Sequence, residues 1–193
     1  MGSRAAVQVG GRALRAFIFD MDGVVTDTAS AHAASWKRLF DGYLRERSER
    51  TREPFRPFEE DDYLRYVDGK PRYDGVRDFL ASRGIVLPEG EPSDPPGRET
   101  VCGLGNRKDG YFLAGLREGG AEPYRSTVEL VGRLSALGVG IAVISSSRNM
   151  GEVLAAAGIG DLFPVRVDGV VSEELGLTGK PDPAIFLEAA RRL

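Results

Sequence analysis

The chain has 193 residues, enough for one hydrophobic core or for a core that carries a smaller insert. With 41% hydrophobic and 28% charged residues and a net charge of −3, its composition is that of a folded globular protein and lacks the basic excess of a nucleic-acid binder. No apolar run is long enough to span a membrane, and the lone Cys102 and lone His32 exclude an internal disulfide and argue against a histidine–cysteine zinc site.

Residues 1–11 hold arginines but no apolar leader segment, so no signal peptide is expected, and the single cysteine fits a cytoplasmic location. Only Lys37, Lys70, Lys108 and Lys180 among the basic residues are lysines. Where arginine is the default cation, a lysine is the choice for a compact point charge.

In chain order, the first strong element is the apolar run Ala16, Phe17, Ile18, Phe19, which reads as a buried strand. It ends in Asp20 and Asp22, and Gly23 allows a sharp turn. Ligands of open α/β sheets bind beyond the carboxyl ends of the strands, where these acids fall. Two such carboxylates suit a Mg²⁺ site in which one attacks phosphorus and the other handles a proton. A capped strand-to-helix turn accounts for the D-x-D pattern equally well.

Residues 29–50 carry Ala33, Trp36, Leu39, Phe40, Tyr43 and Leu44 at helical spacing, and Pro54 and Pro57 break the pattern. Further helices are expected over 74–83 and 100–118, with a turn-rich loop at 88–97. A helix over 127–137, a fully buried strand over 139–144, a helix over 149–157, a short strand over 164–167 and a helix from 183 follow. The expected architecture is α/β: a Rossmann-like parallel-sheet core (1–28 and 122–193) with an α-helical insert (29–121) after the first strand.

Two further junctions carry candidate chemistry. The strand at 139–144 opens onto Ser145, Ser146, Ser147, Arg148 and Asn149, which offer hydroxyls and N–H groups to an anion; one serine would suffice as a helix cap. Thr178, Gly179, Lys180, Pro181, Asp182 and Pro183 hold a lysine in a stiffened, non-helical setting, suited to neutralising a phosphoryl group, although a solvated loop lysine has the same local signature.

Taken in this order, the D-x-D-G-V, strand-to-Ser and G-K-P-x-P motifs resemble the haloacid dehalogenase superfamily of phosphotransferases over nearly the whole chain. The resemblance implies that Asp20 is the nucleophile that becomes an aspartyl phosphate and that Asp22 is the general acid/base. It implies that Ser145 and Lys180 bind the transferred phosphoryl group, that Asp20 and Asp22 hold Mg²⁺, and that the insert is a cap that excludes water.

The segment from Thr26 to His32, with Thr28 in the linker and Trp36 a turn later, resembles the beta-phosphoglucomutase subfamily. There the histidine at the His32 position couples cap closure to the acid/base carboxylate. The segment from Val67 to Arg72, with Gly69 three residues before the arginine, resembles that subfamily's substrate loop, in which Arg72 would grip the non-reacting phosphate of a sugar phosphate. Lys108 matches the cap lysine, although Asp109 stands where the subfamily usually has Asn, which weakens the local positive field. Ser147, Arg148 and Asn149 would supply the core's own grip on the distal phosphate.

The implied activity is interconversion of β-D-glucose 1-phosphate and glucose 6-phosphate, with no nucleic-acid or membrane partner and, by family analogy, a monomer. A sugar-phosphate phosphatase shares every core motif. The superfamily's fourth motif, an acidic pair after a later strand, has no match: Asp161 lies too early and Glu173–Glu174 precede Lys180. The C-terminal part of the core is therefore expected to be missing, with the strand at Phe17–Phe19 left as an aggregation-prone edge. A truncated chain of little activity is a further expectation.

Overall fold

The computed structural model describes residues 7–9 and 11–193. Two short strands, β1 (Val7–Val9) and β2 (Arg12–Leu14), pair antiparallel, with Gly11 at φ +77° in the connection. This hairpin falls in a segment where the sequence alone suggests no element. Strands of three residues are too short to show an alternation. Strand β3 (Ala16–Asp20) follows.

The chain then leaves the first of two compact units, which it re-enters at Gly120; Ala29–Gly119 form the second. The insert expected to end at residue 121 thus closes two residues earlier. Gly120 (φ +72°) starts the return, and Asp27 N–H and Tyr124 N–H then donate to the carbonyls of Glu122 and Val25 at 2.8 and 2.9 Å. Thr26 and Pro123 form an antiparallel bridge in the same neck.

The second unit is helical, with no strand among its residues: α1 (Ala29–Thr51), the single turn α2 (Glu60–Asp62) running into a π-helical turn (Tyr63–Val67), α3 (Arg72–Ser82) and α4 (Val101–Gly119). The expected stripe on α1 is the buried one: Trp36, Leu39, Phe40, Tyr43 and Leu44 pack on Val76, Phe79 and Leu80 of α3 and Val101 and Leu104 of α4. Phe40 lies at its centre, with the rings of Trp36, Phe58 and Phe79 at 5.3, 5.1 and 4.1 Å. The turns at 60–67 have no apolar period that would announce them. Their first turn is three acids, suited to a helix N-terminus.

The loop at 88–97 is irregular and is tied to α4 by Asp94. Its carboxylate accepts from the Thr100 hydroxyl at 2.7 Å, the Glu91 N–H at 3.2 Å and the Arg98 guanidinium at 2.7 Å. The Thr100 hydroxyl bond, foremost among these, holds the Asp94 carboxyl below its usual range. A carboxyl depressed on folding stabilises fully above its unfolded pKa of about 4 and loses that contribution as pH falls through the folded value. An acid titration followed by fluorescence of Trp36, the sole tryptophan, is expected to show the second unit weakening below about pH 4, and Asp94→Asn is expected to flatten that slope. An unchanged slope in the variant would assign acid lability elsewhere.

The first unit resumes with α5 (Arg125–Ala136), β4 (Gly140–Ile144), α6 (Met150–Ala156), a 3₁₀ turn (Gly160–Leu162), β5 (Val165–Val167), α7 (Gly169–Glu174) and α8 (Ala184–Arg192). β3, β4 and β5 form a parallel sheet in that order, with Asp20 opposite Ile144 and Ile144 opposite Val167. β4 is central and its last four residues are buried, whereas every residue of β3 is only half-buried. The full burial expected of β3 does not hold, because among the described residues it pairs with β4 alone. Ile185 and Ala189 of α8 cover the sheet at Ala142, Ile144 and Val167. The helix α7, not foreseen from sequence, is started by Asp168, whose carboxylate accepts from the N–H groups of Val170 and Val171 at 3.0 Å. Among the described residues no helix is long and apolar enough to cross a membrane.

Candidate active site

The parallel register brings the carboxyl ends of β3 and β4 level, so Asp20 and Ser145 emerge side by side. Asp20 is fixed at both oxygens: Oδ1 accepts the Met21 N–H at 2.9 Å and Oδ2 accepts Lys180 Nζ at 2.7 Å. Lys180 lies beyond α7, in the loop before α8, and its side chain is largely enclosed. The sequence-distant D-x-D and G-K-P motifs therefore meet in one ion pair.

Asp22 stands in a loop folded back on itself. Met21 N–H donates to the Ile144 carbonyl at 2.9 Å, and the Val25 and Thr26 N–H groups both donate to the Met21 carbonyl. Gly23, at φ +79°, makes the reversal and donates to the Thr26 carbonyl at 2.8 Å. Asp22 Oδ1 accepts the Thr28 hydroxyl at 2.5 Å and Oδ2 accepts the Ser145 hydroxyl at 2.8 Å. Thr26, which sequence reasoning passed over, is buried and shares a 3.0 Å hydroxyl contact with Thr28. Only its place within a D-x-x-x-T loop could have marked it.

The serine segment differs from the expected open anion cradle. The Ser145 hydroxyl oxygen accepts the Ser147 N–H at 3.0 Å, and the Ser147 hydroxyl accepts the Asn149 N–H at 3.2 Å. Two of the N–H groups expected to face an anion are thus engaged within the turn. Arg148 pairs with Glu173 of α7, and Asn149 is buried at the N-cap of α6. Ser145 is the member of this group that joins Asp20, Asp22, Thr28 and Lys180.

Within the second unit the remaining candidates form two clusters. Lys108 on α4 is 5% exposed; its Nζ lies 2.7 Å from His32 Nδ1 on α1 and 5.2 and 5.0 Å from the ring centroids of Trp36 and Phe112. The His32 ring stacks on Phe112 at 4.0 Å. The contact joins a nitrogen that donates as an ammonium to a ring nitrogen whose role follows the imidazole tautomer. A buried ammonium against aromatic faces keeps part of its lost hydration through cation–π attraction.

In the second cluster Gly69 (φ +67°) turns the chain into α3, and Arg72, its first residue, pairs through Nη1 with Asp109 Oδ2 at 2.7 Å. Gly105 admits the neighbouring Tyr73, since a Cβ there would stand 2.6 Å from its ring. Nearby, Lys70 pairs with Asp78.

Asp20 and Asp22 offer only oxygen donors, as a hard divalent cation requires, and Mg²⁺ is commonly held by one or two carboxylates with substrate phosphate and water completing the shell. The residues present fit such an ion. Among the described residues no group of three or more His, Cys, Asp or Glu side chains gathers as a fuller cage.

Two carboxylates at the end of a parallel strand, a lysine and a serine from later junctions, and a helical insert after the first strand define the class. The sequence model of the haloacid dehalogenase-like hydrolases matches residues 14–193, and the chain belongs to that family. Its place there is in the beta-phosphoglucomutase-like subfamily. It is 50% identical over 181 residues to the beta-phosphoglucomutase of Mycobacterium bovis, covering 93% of this chain and 69% of that protein. It is 29% identical over 180 residues to the beta-phosphoglucomutase of Bacillus subtilis, covering 93% of this chain and 70% of that one. The crystal structure of the Clostridium difficile beta-phosphoglucomutase shares the fold, with a TM-score of 0.67 at 23% identity over 92% of this chain and 70% of that one.

Proposed function

We propose that this chain is a beta-phosphoglucomutase-type phosphotransferase that interconverts β-D-glucose 1-phosphate and glucose 6-phosphate through an aspartyl phosphate and a glucose 1,6-bisphosphate. The observation that carries the reading is the pairing of two differently dressed carboxylates, Asp20 on Lys180 and Asp22 between the Thr28 and Ser145 hydroxyls. In this reading Asp20, fixed at both oxygens, acts as the nucleophile, and Lys180 supplies the positive charge that a phosphoryl group needs as it moves. Asp22, which accepts from two rotatable hydroxyls, acts as the acid/base. The substrate is a small sugar phosphate.

In the forward direction the phosphoryl group leaves Asp20 as the sugar O6 forms its bond to phosphorus, and the O6 proton passes to Asp22. The bisphosphate then presents its C1 phosphate. Asp20 attacks that phosphorus, the O1–P bond breaks, and Asp22 returns its proton to O1. The Ser145 hydroxyl is free to turn from Asp22 to the transferring group, and Arg72 holds the phosphate that does not react, a task suited to the planar guanidinium fork. Asp20 and the backbone carbonyl of Asp22 would hold Mg²⁺, which when bound adds charge neutralisation to the phosphoryl oxygens. The lone Cys102, buried in α4, suits a cytoplasmic enzyme, and we take it to act as a monomer.

Phosphorus NMR of β-glucose 1-phosphate with Mg²⁺ and a trace of the 1,6-bisphosphate tests this reading. Growth of glucose 6-phosphate without inorganic phosphate is the expected result. Inorganic phosphate as the main product would make the chain a sugar phosphatase, and no conversion would overturn both.

A further inference from the structure

The helical unit carries a cavity that shares no residue with the candidate active site. It lies at the C-terminal ends of α1 and α3 and holds about 360 Å³, within the roughly 300–1,000 Å³ of small-molecule sites. Its walls divide by chemistry. Leu44, Pro54 and Ile85 supply an apolar side, while Arg47, Arg56 and Arg83 reach it from three separate segments. Glu53 is the one acid among the lining residues.

Arginines at the end of a helix commonly serve its last carbonyls. Here hydroxyls do that work: Thr51 and Ser48 donate to the carbonyls of Arg47 and Glu53 at 3.1 and 2.6 Å, and Ser82 to that of Phe79 at 2.7 Å. Of the three arginines Arg83 is committed, since its Nη2 donates to the Pro57 carbonyl at 3.1 Å and to Asp62 at 2.6 Å. Arg47 keeps only a loose ion pair with Glu53 at 3.5 Å, and the Glu53 side chain is 65% exposed. Arg56 is exposed and, among the described residues, pairs with no acid. Two guanidinium forks beside an apolar wall are therefore available to a ligand.

We propose that this cavity is a binding site for a small organic phosphate. Arg47 and Arg56 take the phosphate oxygens, and Leu44, Pro54 and Ile85 face the organic body. A phosphate dianion offers three oxygens and two charges, where a carboxylate has two oxygens and one charge, so it suits more than one fork. The charge balance gives the proposal a definite sign. Glu53 is the resident anion that phosphate displaces from Arg47, and its removal tightens binding.

Amide NMR of the isotope-labelled full chain, titrated with phenylphosphonate, methylphosphonate and benzoate, tests this. A phosphonate carries the charge of a phosphate on a bond that phosphoryl transfer does not break. Phenylphosphonate is expected to shift the amides of Ser48, Glu53 and Ile85 saturably, and equally in Lys180→Ala, which disables the phosphoryl site. Arg47→Ala and Arg56→Ala are each expected to weaken this binding about three- to tenfold, and Glu53→Gln to tighten it about two- to fivefold. Arg56 has no ion pair to lose, so its variant reports on binding and not on folding. Methylphosphonate, lacking the ring, and benzoate, lacking the second charge, are each expected to bind about tenfold more weakly. Shifts that never saturate, that vanish in Lys180→Ala, or that keep full affinity in both arginine variants would overturn the proposal, as would weaker binding in Glu53→Gln. Benzoate binding as tightly as phenylphosphonate would overturn the assignment to phosphate, and methylphosphonate binding as tightly would overturn that of the organic body.

Discussion

Asp20→Asn is expected to abolish turnover, lowering kcat by roughly four to six orders of magnitude, in line with losing the nucleophile of a covalent mechanism. The amide matches the carboxylate in shape, and its carbonyl still accepts the bond that Met21 N–H makes to Oδ1. What it lacks is the charge that pairs with Lys180 and a basic oxygen to attack phosphorus. Acid quenching of the wild-type chain with labelled bisphosphate should trap phosphate on protein, and the variant should trap none. Asp22→Asn forms the contrast. It keeps the attacking oxygen and loses proton transfer, which both half-reactions use, so phosphoenzyme should still be trapped from the bisphosphate but form, and pass to sugar, about 10²- to 10⁴-fold more slowly. Labelled phosphate trapped on Asp20→Asn would show that another residue is the nucleophile.

The largest effect on stability is expected at Phe40→Ala. Phe40 is fully buried, and three aromatic rings close around it from α1, α3 and the loop before α2. Removing a buried phenyl costs about 3–5 kcal/mol through lost burial and the cavity left behind. That is a large share of the roughly 5–15 kcal/mol that holds a domain folded. The loss falls within the unit 29–119, whose buried cluster contains Phe40. Urea unfolding read by Trp36, which stacks on Phe40, should shift to a much lower midpoint with little change in slope. Phe40→Leu retains most of the volume and should lose far less. A Phe40→Ala chain as stable as wild type would mean that the helices collapse to refill the space.

The candidate site positions whose meeting is legible in the sequence are those set by local pattern. Asp20 and Ser145 are each the residue that ends or follows an apolar run, and a parallel sheet brings such ends together by its own register. The long stripe on α1 likewise needs only a period of 3.6 to announce its buried face. Other features depend on contacts that no local pattern encodes. The pairing of Arg72 with Asp109 forms where α3 meets α4; in sequence Asp109 reads only as an unwanted acid beside Lys108. The ion pair of Arg148 with Glu173 is likewise hidden in the sequence, since Glu173 lies on a helix with no periodic signature. The half-burial of β3 is a property of sheet order, which its own apolar run does not encode.

The neck at residues 25–27 and 122–124 has a consequence for how such a chain is assembled and diversified. Its backbone bonds and the Thr26–Pro123 bridge join the two ends of the excursion through residues 29–119 as the arms of a hairpin are joined. Once that doorway is closed, the entropy of closing the excursion grows only with the logarithm of its length, about 0.6 kcal/mol for each doubling. The α/β scaffold is therefore nearly indifferent to how much polypeptide passes through the doorway. Replacing the helical excursion with a shorter or longer one is therefore expected to cost the scaffold little in closure entropy.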